Sequence, residues 1–182
     1  LILLLLDYFL SLFFQILIVS SCGQASNKEE AEKYYGSYVE AIRPFKIGVE
    51  TMLKDSKELL EQSFKATGDI KLSTQDSLKL TTMFADFERL TEDTKIRLKD
   101  LRTFKAFDLK DEGLKFVDKF SKTISGSYKG IVFPLQDRSV QMDQEKLGPL
   151  IDNYKKQLVD ANQEFVTAQN EFLDKFGITV KN

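Results

Sequence analysis

The chain has 182 residues, enough for one ordinary domain, and its 42% hydrophobic and 30% charged residues suit a packed core better than disorder. Its formal net charge of -2 lacks the basic excess of a nucleic-acid binder. It contains no His, which removes the usual acid/base near neutral pH and the commonest metal ligand, and one Cys, which excludes an internal disulfide and a thiolate zinc site.

Residues 1–21 read LILLLLDYFLSLFFQILIVSS, with Asp7 as the only charge. The length suits either a bilayer span or a secretory signal peptide. The residues at its end decide between them: an aliphatic residue, two small ones and the single Cys, in Val19-Ser20-Ser21-Cys22-Gly23. This run resembles the lipobox of bacterial lipoproteins. The resemblance implies cleavage between Ser21 and Cys22, with diacylglycerol and palmitate-type chains carried on Cys22 as the first mature residue. The segment lacks an initiator Met and a basic n-region, so it reads as a signal peptide entered after its start. Asp7 opposes insertion by about 2.5–3.5 kcal/mol. Lipidation implies firm membrane attachment, since each buried methylene contributes about 0.8 kcal/mol and two or more chains hold where one does so only marginally. Gly23, rather than an Asp, resembles the position after the Cys in lipoproteins sent to an outer membrane or cell surface.

Residues 22–27 form a short linker after the lipidated Cys, and residues 28–182 read as one helical domain. Ser26 with Glu29 is a capping box that opens the first helix. Its apolar stripe runs through Tyr35, Tyr38, Ile42, Phe45, Val49, Met52 and Leu60 to Phe64, in steps of three and four. Ala66-Thr67-Gly68 reads as its C-cap. Pro44 lies inside; the unbroken register on either side predicts a kink rather than two helices.

Ser73 and Asp76 open a second helix with the stripe Leu80, Phe84, Phe87, Thr94, Leu98, and a connection follows at Thr103 to Phe107. Asp108 caps a third helix with the stripe Leu109, Phe116, Val117, Phe120, Ile124, Tyr128, Ile131; Gly113, Gly126 and Gly130 weaken it and Pro134 ends it. The fourth helix starts near Ser139, bends near Pro149, carries Leu147, Ile151, Tyr154, Leu158, Phe165 and Phe172, and is capped by Gly177. The prediction is an all-α fold, an antiparallel bundle of four long amphipathic helices.

Three side-chain groups offer chemistry, each with a plainer explanation. Phe104, Phe107, Phe116 and Phe120 suit an apolar ligand pocket, but Phe116 and Phe120 sit at stripe positions and the group reads first as core. Lys95, Arg97, Lys99, Arg102 and Lys105 form the most basic stretch and suit anionic headgroups; cations at a helix C-terminus also offset its dipole. Asp108, Asp111 and Glu112 lack the oxygen count and Gly turn of a calcium loop and read as helix capping. No phosphate loop, nucleophile elbow, zinc or kinase motif is present, so no metal, cofactor or enzymatic activity is expected.

The plan of signal, Cys and helices ending in Ala161-Asn162-Gln163-Glu164-Phe165 and Ala168-Gln169-Asn170-Glu171-Phe172 is similar to that of uncharacterised bacterial surface lipoproteins. The expected role is a lipid-anchored helical envelope protein acting as a binding or structural module. Its expected partners are the membrane, through the lipid, and a protein or other envelope component, with no nucleic acid. The alternative is a carrier that holds a lipid or other hydrophobic small ligand between its helices.

Overall fold

A period of three and four buries one side of a helix, and several such helices cover one another's apolar sides by packing lengthwise. The computed structural model describes residues 18–19, 26–67, 72–105, 107–136 and 144–181. They form an all-α bundle of four long helical segments. Helix α1 is Ser26–Thr67 and α2 is Thr74–Lys99. The third segment starts as α3, Leu109–Thr123, widens into a π turn, Ile124–Tyr128, resumes as α4, Lys129–Val132, and tightens into a 3₁₀ turn, Phe133–Gln136. The fourth is α5, Gln144–Phe176. With 42 residues, α1 spans about 63 Å at 1.5 Å per residue.

Pro44 and Pro149 both lie inside continuous helices. Pro149 falls near the start of α5, where a missing N–H costs least. The expected start near Ser139 falls outside the described residues, which resume at Gln144. The α-helical winding of the third segment ends at Val132, just before Pro134, and a 3₁₀ turn carries the chain through the proline to Gln136. The first residues of such a turn donate no internal hydrogen bond, so proline fits there. A two-residue antiparallel bridge pairs Ile18 with Lys181 and Val19 with Val180, beside the C-terminal tail after Gly177. Gly177 has φ +58, the left-handed conformation that lets the Ile178 amide reach back to the Leu173 carbonyl at 2.9 Å.

The ends are capped by side chains. Ser73 Oγ accepts the Asp76 amide at 3.1 Å and donates to its carboxylate at 2.7 Å, and these bonds with Lys79 hold the Asp76 carboxyl below its ordinary value. At α3, Asp108 Oδ1 accepts the Lys110 amide at 3.0 Å. Tyr34 of α1 joins this cap by donating to Asp108 at 2.9 Å and accepting the Lys110 amide at 3.1 Å.

Pairs of side chains fix the neighbours. Along α1, Tyr34, Phe45 and Ser56 meet Asp108, Phe116 and Tyr128, so the first and third segments run the same way. Along α3 and the π turn, Phe116, Lys119, Ser127 and Tyr128 meet Phe165, Glu164, Gln157 and Tyr154, in opposite order on α5. Lys95 meets Asp118 while Glu88 meets Lys129, so α2 also runs against the third segment. The start of α1, the end of α2, the start of α3 and the end of α5 therefore share one end of the bundle.

The core is aromatic. Phe116 stacks on Phe165 with centroids 4.2 Å apart, and Phe45 meets Phe87, Phe116 and Phe120 at 5.8 to 6.1 Å. A polar contact between two segments lies within it. Ser56 Oγ donates to the Leu53 carbonyl at 3.0 Å and lies 2.6 Å from Tyr128 Oη, which leaves the phenol as donor. Burial pushes the Tyr128 phenol up to about 12. Ser56→Ala leaves that phenol buried without its acceptor and should cost about 1–3 kcal/mol in urea unfolding; Tyr128→Phe leaves Ser56 its backbone bond and should cost about 1 kcal/mol.

Gly113 departs from its expected role as a weak point. A Cβ there would stand 2.8 Å from Tyr38 Cε2 and 3.2 Å from Leu98 Cδ2, so the glycine lets α3 approach α1 and α2. A Cβ on Gly130 would meet nothing within 4 Å. Gly113→Ala should therefore destabilise by about 1–2 kcal/mol through overpacking, whereas Gly130→Ala should stabilise by up to about 1 kcal/mol through helix propensity. Thermal melts of the two variants must move in opposite directions.

Candidate binding surface

The seam between α3 and α5 has an apolar floor and polar shoulders. Phe107, Ala161 and Ala168 supply its apolar lining, and the buried Phe116–Phe165 stack ties the two helices together. On α3 and the π turn, Asp108, Glu112, Lys119, Thr123 and Ser127 succeed one another at steps of four or seven and so share a side of the helix. On α5 the facing row is Gln157, Asp160, Glu164, Thr167 and Glu171. Two recesses lie between the rows. One, of about 560 Å³, is lined by Phe107, Asp108, Glu112, Gln163, Glu164, Thr167, Ala168 and Glu171. The other, of about 490 Å³, is lined by Lys119, Lys122, Thr123, Ser127, Gln157, Asp160, Ala161 and Glu164. Glu164 lines both, and its ion pair with Lys119 stands between them.

The recesses differ in charge. Four carboxylates and no cation line the first; two lysines and two carboxylates line the second. Most of these groups already have partners: Asp108 caps α3, Glu112 pairs with Lys115 at 2.7 Å, and Ser127 donates to Gln157 at 3.1 Å. What the seam offers is a row of hydrogen-bonding groups on a rigid base. Among the described residues, no group of three or more His, Cys, Asp or Glu side chains is arranged to hold a metal ion.

The groups singled out from sequence are distributed across the fold. Ser21 and Cys22 lie outside the described residues. Phe104, Phe116 and Phe120 are buried and Phe107 packs against the core. Their rings face other rings: Phe104 stacks on Tyr34 at 5.1 Å and meets Phe176 at 5.2 Å, while Phe107 meets Phe172 at 5.9 Å. Of the basic stretch, Lys95 is held by Asp118 at 2.7 Å and Glu92 at 3.1 Å, which together keep its ammonium above the ordinary lysine value despite partial burial. Arg97, Lys99, Arg102 and Lys105 are exposed. Asp108, Asp111 and Glu112 occupy the cap and first turn of α3, where the helix dipole favours them.

Sequence reasoning missed the seam and missed Lys46. The Lys46 ammonium lies 4.8 Å from the Phe165 ring centroid, and burial lowers its pKa to about 8. The signal for the seam was the uncharged polar set Thr123, Ser127, Gln157, Gln163 and Thr167 beside the apolar stripes, a place where surface helices more often carry charge. No described helix is long and apolar enough to cross a membrane. No family model matches the chain, and neither a curated protein nor a solved structure does so.

Proposed function

We propose that the chain is a lipid-anchored helical module of a bacterial envelope, held to the membrane through Cys22 and presenting the α3–α5 seam to a protein partner. The observation that carries the binding role is the seam itself, a row of amides, hydroxyls and carboxylates between two helices joined by an aromatic stack. A rigid base lowers the ordering cost of binding, and polar groups in fixed positions supply specificity. The anchor rests on Val19-Ser20-Ser21-Cys22 at the end of the apolar segment. The carrier reading gains no comparable support, because the phenylalanines that suggested it pack on one another.

Two measurements test the two halves. Mass spectrometry of protein isolated from bacterial membranes should find a chain that begins at Cys22 with added acyl mass; an intact residue 1–21 segment removes the lipid anchor. A photo-crosslinking residue at Thr167 in the seam should trap a discrete envelope protein that the same residue at Thr82, on exposed α2, does not. Identical adducts from both positions remove the seam as the binding surface.

A further inference from the structure

We infer that the exposed cations at the end of α2 and in the connection after it, Arg97, Lys99, Arg102 and Lys105, form a contact surface for anionic lipid headgroups. The bundle would then lean its α2 side against the bilayer rather than stand clear of it. The inference rests on the membrane attachment proposed for Cys22.

Position is the first ground. Cys22 precedes the start of α1 by four residues, and the end of α2 lies at the same end of the bundle as that start. The Tyr34 bond to Asp108 pins the connection there. Whatever holds Cys22 at a membrane therefore holds these cations within reach of the headgroups.

Charge pairing is the second ground. The earlier cations of α2 each have a carboxylate: Lys79 with Asp76, Arg89 with Asp86, Lys95 with Glu92 and Asp118. Arg97, Lys99, Arg102 and Lys105 have none among the described residues, and Asp100 is the one acid within the stretch. The helix dipole accounts for Arg97 and Lys99, which lie in the last turn of α2. It does not account for Arg102 and Lys105, which lie beyond the helix. Ile96, 55% exposed, adds an apolar side chain beside the cations, the combination found on helices that lie at a membrane surface.

Besides Asp93 and Asp100 on α2 and its cap, and Asp111 and Asp174 on α3 and α5, the other acids of this end lie away from the cations. Asp108, Glu112, Glu164 and Glu171 line the recess between α3 and α5. Glu29, on α1, is engaged by Lys33 at 2.7 Å. An anionic bilayer attracts the α2 side and repels the acidic recess, which leaves the seam turned away from the lipid and open to a partner.

The test uses the full chain, isolated with its native N-terminus and reconstituted in phosphatidylcholine vesicles with or without phosphatidylglycerol. Acetylation rates of individual lysines are read by peptide mass spectrometry. Lys99 and Lys105 should react about fivefold more slowly on the anionic vesicles, and high salt should restore the rate, while Lys79 at the far end is unchanged. The exposed double variant Arg102→Glu, Lys105→Glu should lose the protection of Lys99 with helix content unaltered. Equal rates on both vesicle types overturn the inference, and so does protection by soluble polyphosphate without protection by vesicles. The N-terminal peptide from the same sample reports the anchor separately. An unacylated, uncleaved leader sinks the lipid-anchor proposal while the lysine rates still report headgroup contact.

Discussion

Phe172→Ala should lower the unfolding free energy by about 3–5 kcal/mol, the cost of removing a large buried aromatic and leaving a cavity. Phe172 is fully buried and faces five other rings: Tyr34, Tyr35, Phe104, Phe107 and Phe176, with centroids between 4.8 and 5.9 Å. These rings come from α1, the connection before α3, and α5, so no single neighbour can move to fill the gap. The loss is large against the total stability of a domain of this size. Leu78→Ala on α2, where the side chain is 67% exposed, should change stability by less than about 0.5 kcal/mol. Urea midpoints of the two variants make the comparison. A Phe172→Ala cost below about 1 kcal/mol would mean that the end of the bundle nearest the linker is not packed as described.

Lys46→Met should stabilise the protein by about 2 kcal/mol at pH 7, and the advantage should vanish by about pH 10. Burial lowers the Lys46 pKa from the ordinary 10.5 to about 8. Below pH 8 the folded protein carries a charge that burial disfavours, and the Phe165 face partly compensates it. Between about pH 8 and 10.5 the folded lysine has shed its proton while the unfolded one keeps it, so the unfolded state binds more protons and stability rises with pH. Met fills a similar volume without the charge and removes that rise. The tyrosines act with the opposite sign. Burial raises Tyr34, Tyr35, Tyr38, Tyr128 and Tyr154 above the ordinary 10.0. Above pH 10 the unfolded phenols ionise first and stability falls. The wild-type chain should therefore be most stable near about pH 9–10, and Lys46→Met should show a flat plateau up to about pH 10 and the same fall beyond it. A stability curve measured from about pH 6 to 11 on both proteins separates the two effects.

The apolar stripes are legible because a helix repeats its buried side every three or four residues whatever it packs against. Ile151, Tyr154, Leu158, Phe165 and Phe172 are all buried on α5, as their spacing predicts. Ser73 and Asp108 cap the helices that their positions in the sequence assign to them. Features that depend on which helices are neighbours are not legible. A glycine that weakens a helix and one that admits a tyrosine ring look alike in sequence, so Gly113 reads as the former until Tyr38 is placed against it. Tyr34 lies beside the stripe through Tyr35 and Tyr38, and nothing local announces its bond to Asp108, 74 residues away. Lys46 comes after the buried Phe45 and reads as a solvated cation until the ring of Phe165, on another helix, is brought over it. The α3–α5 seam is partly of this kind: its uncharged polar residues are visible in the sequence, but that the two rows face each other is not. The Cys22 motif is the reverse case: it is proposed from adjacent residues alone and lies outside the described residues.

The π turn at Ile124–Tyr128 sets a limit on how this chain can vary in length. A widened turn absorbs one residue more than the ladder around it needs. Loss of a single residue within it would return the segment to uniform α winding with the helix beyond still in phase, whereas loss of one residue from the α-helical turns of α3 before it would rotate everything beyond by about 100°. Tyr128, Ile131 and Val132, all buried, would swing out of the interior together, and Ser56 would lose its mate. Single-residue deletions should thus be tolerated in the connections between helices and within the π turn, and purged from Leu109–Thr123, where one codon sets the rotational phase of the rest of the segment.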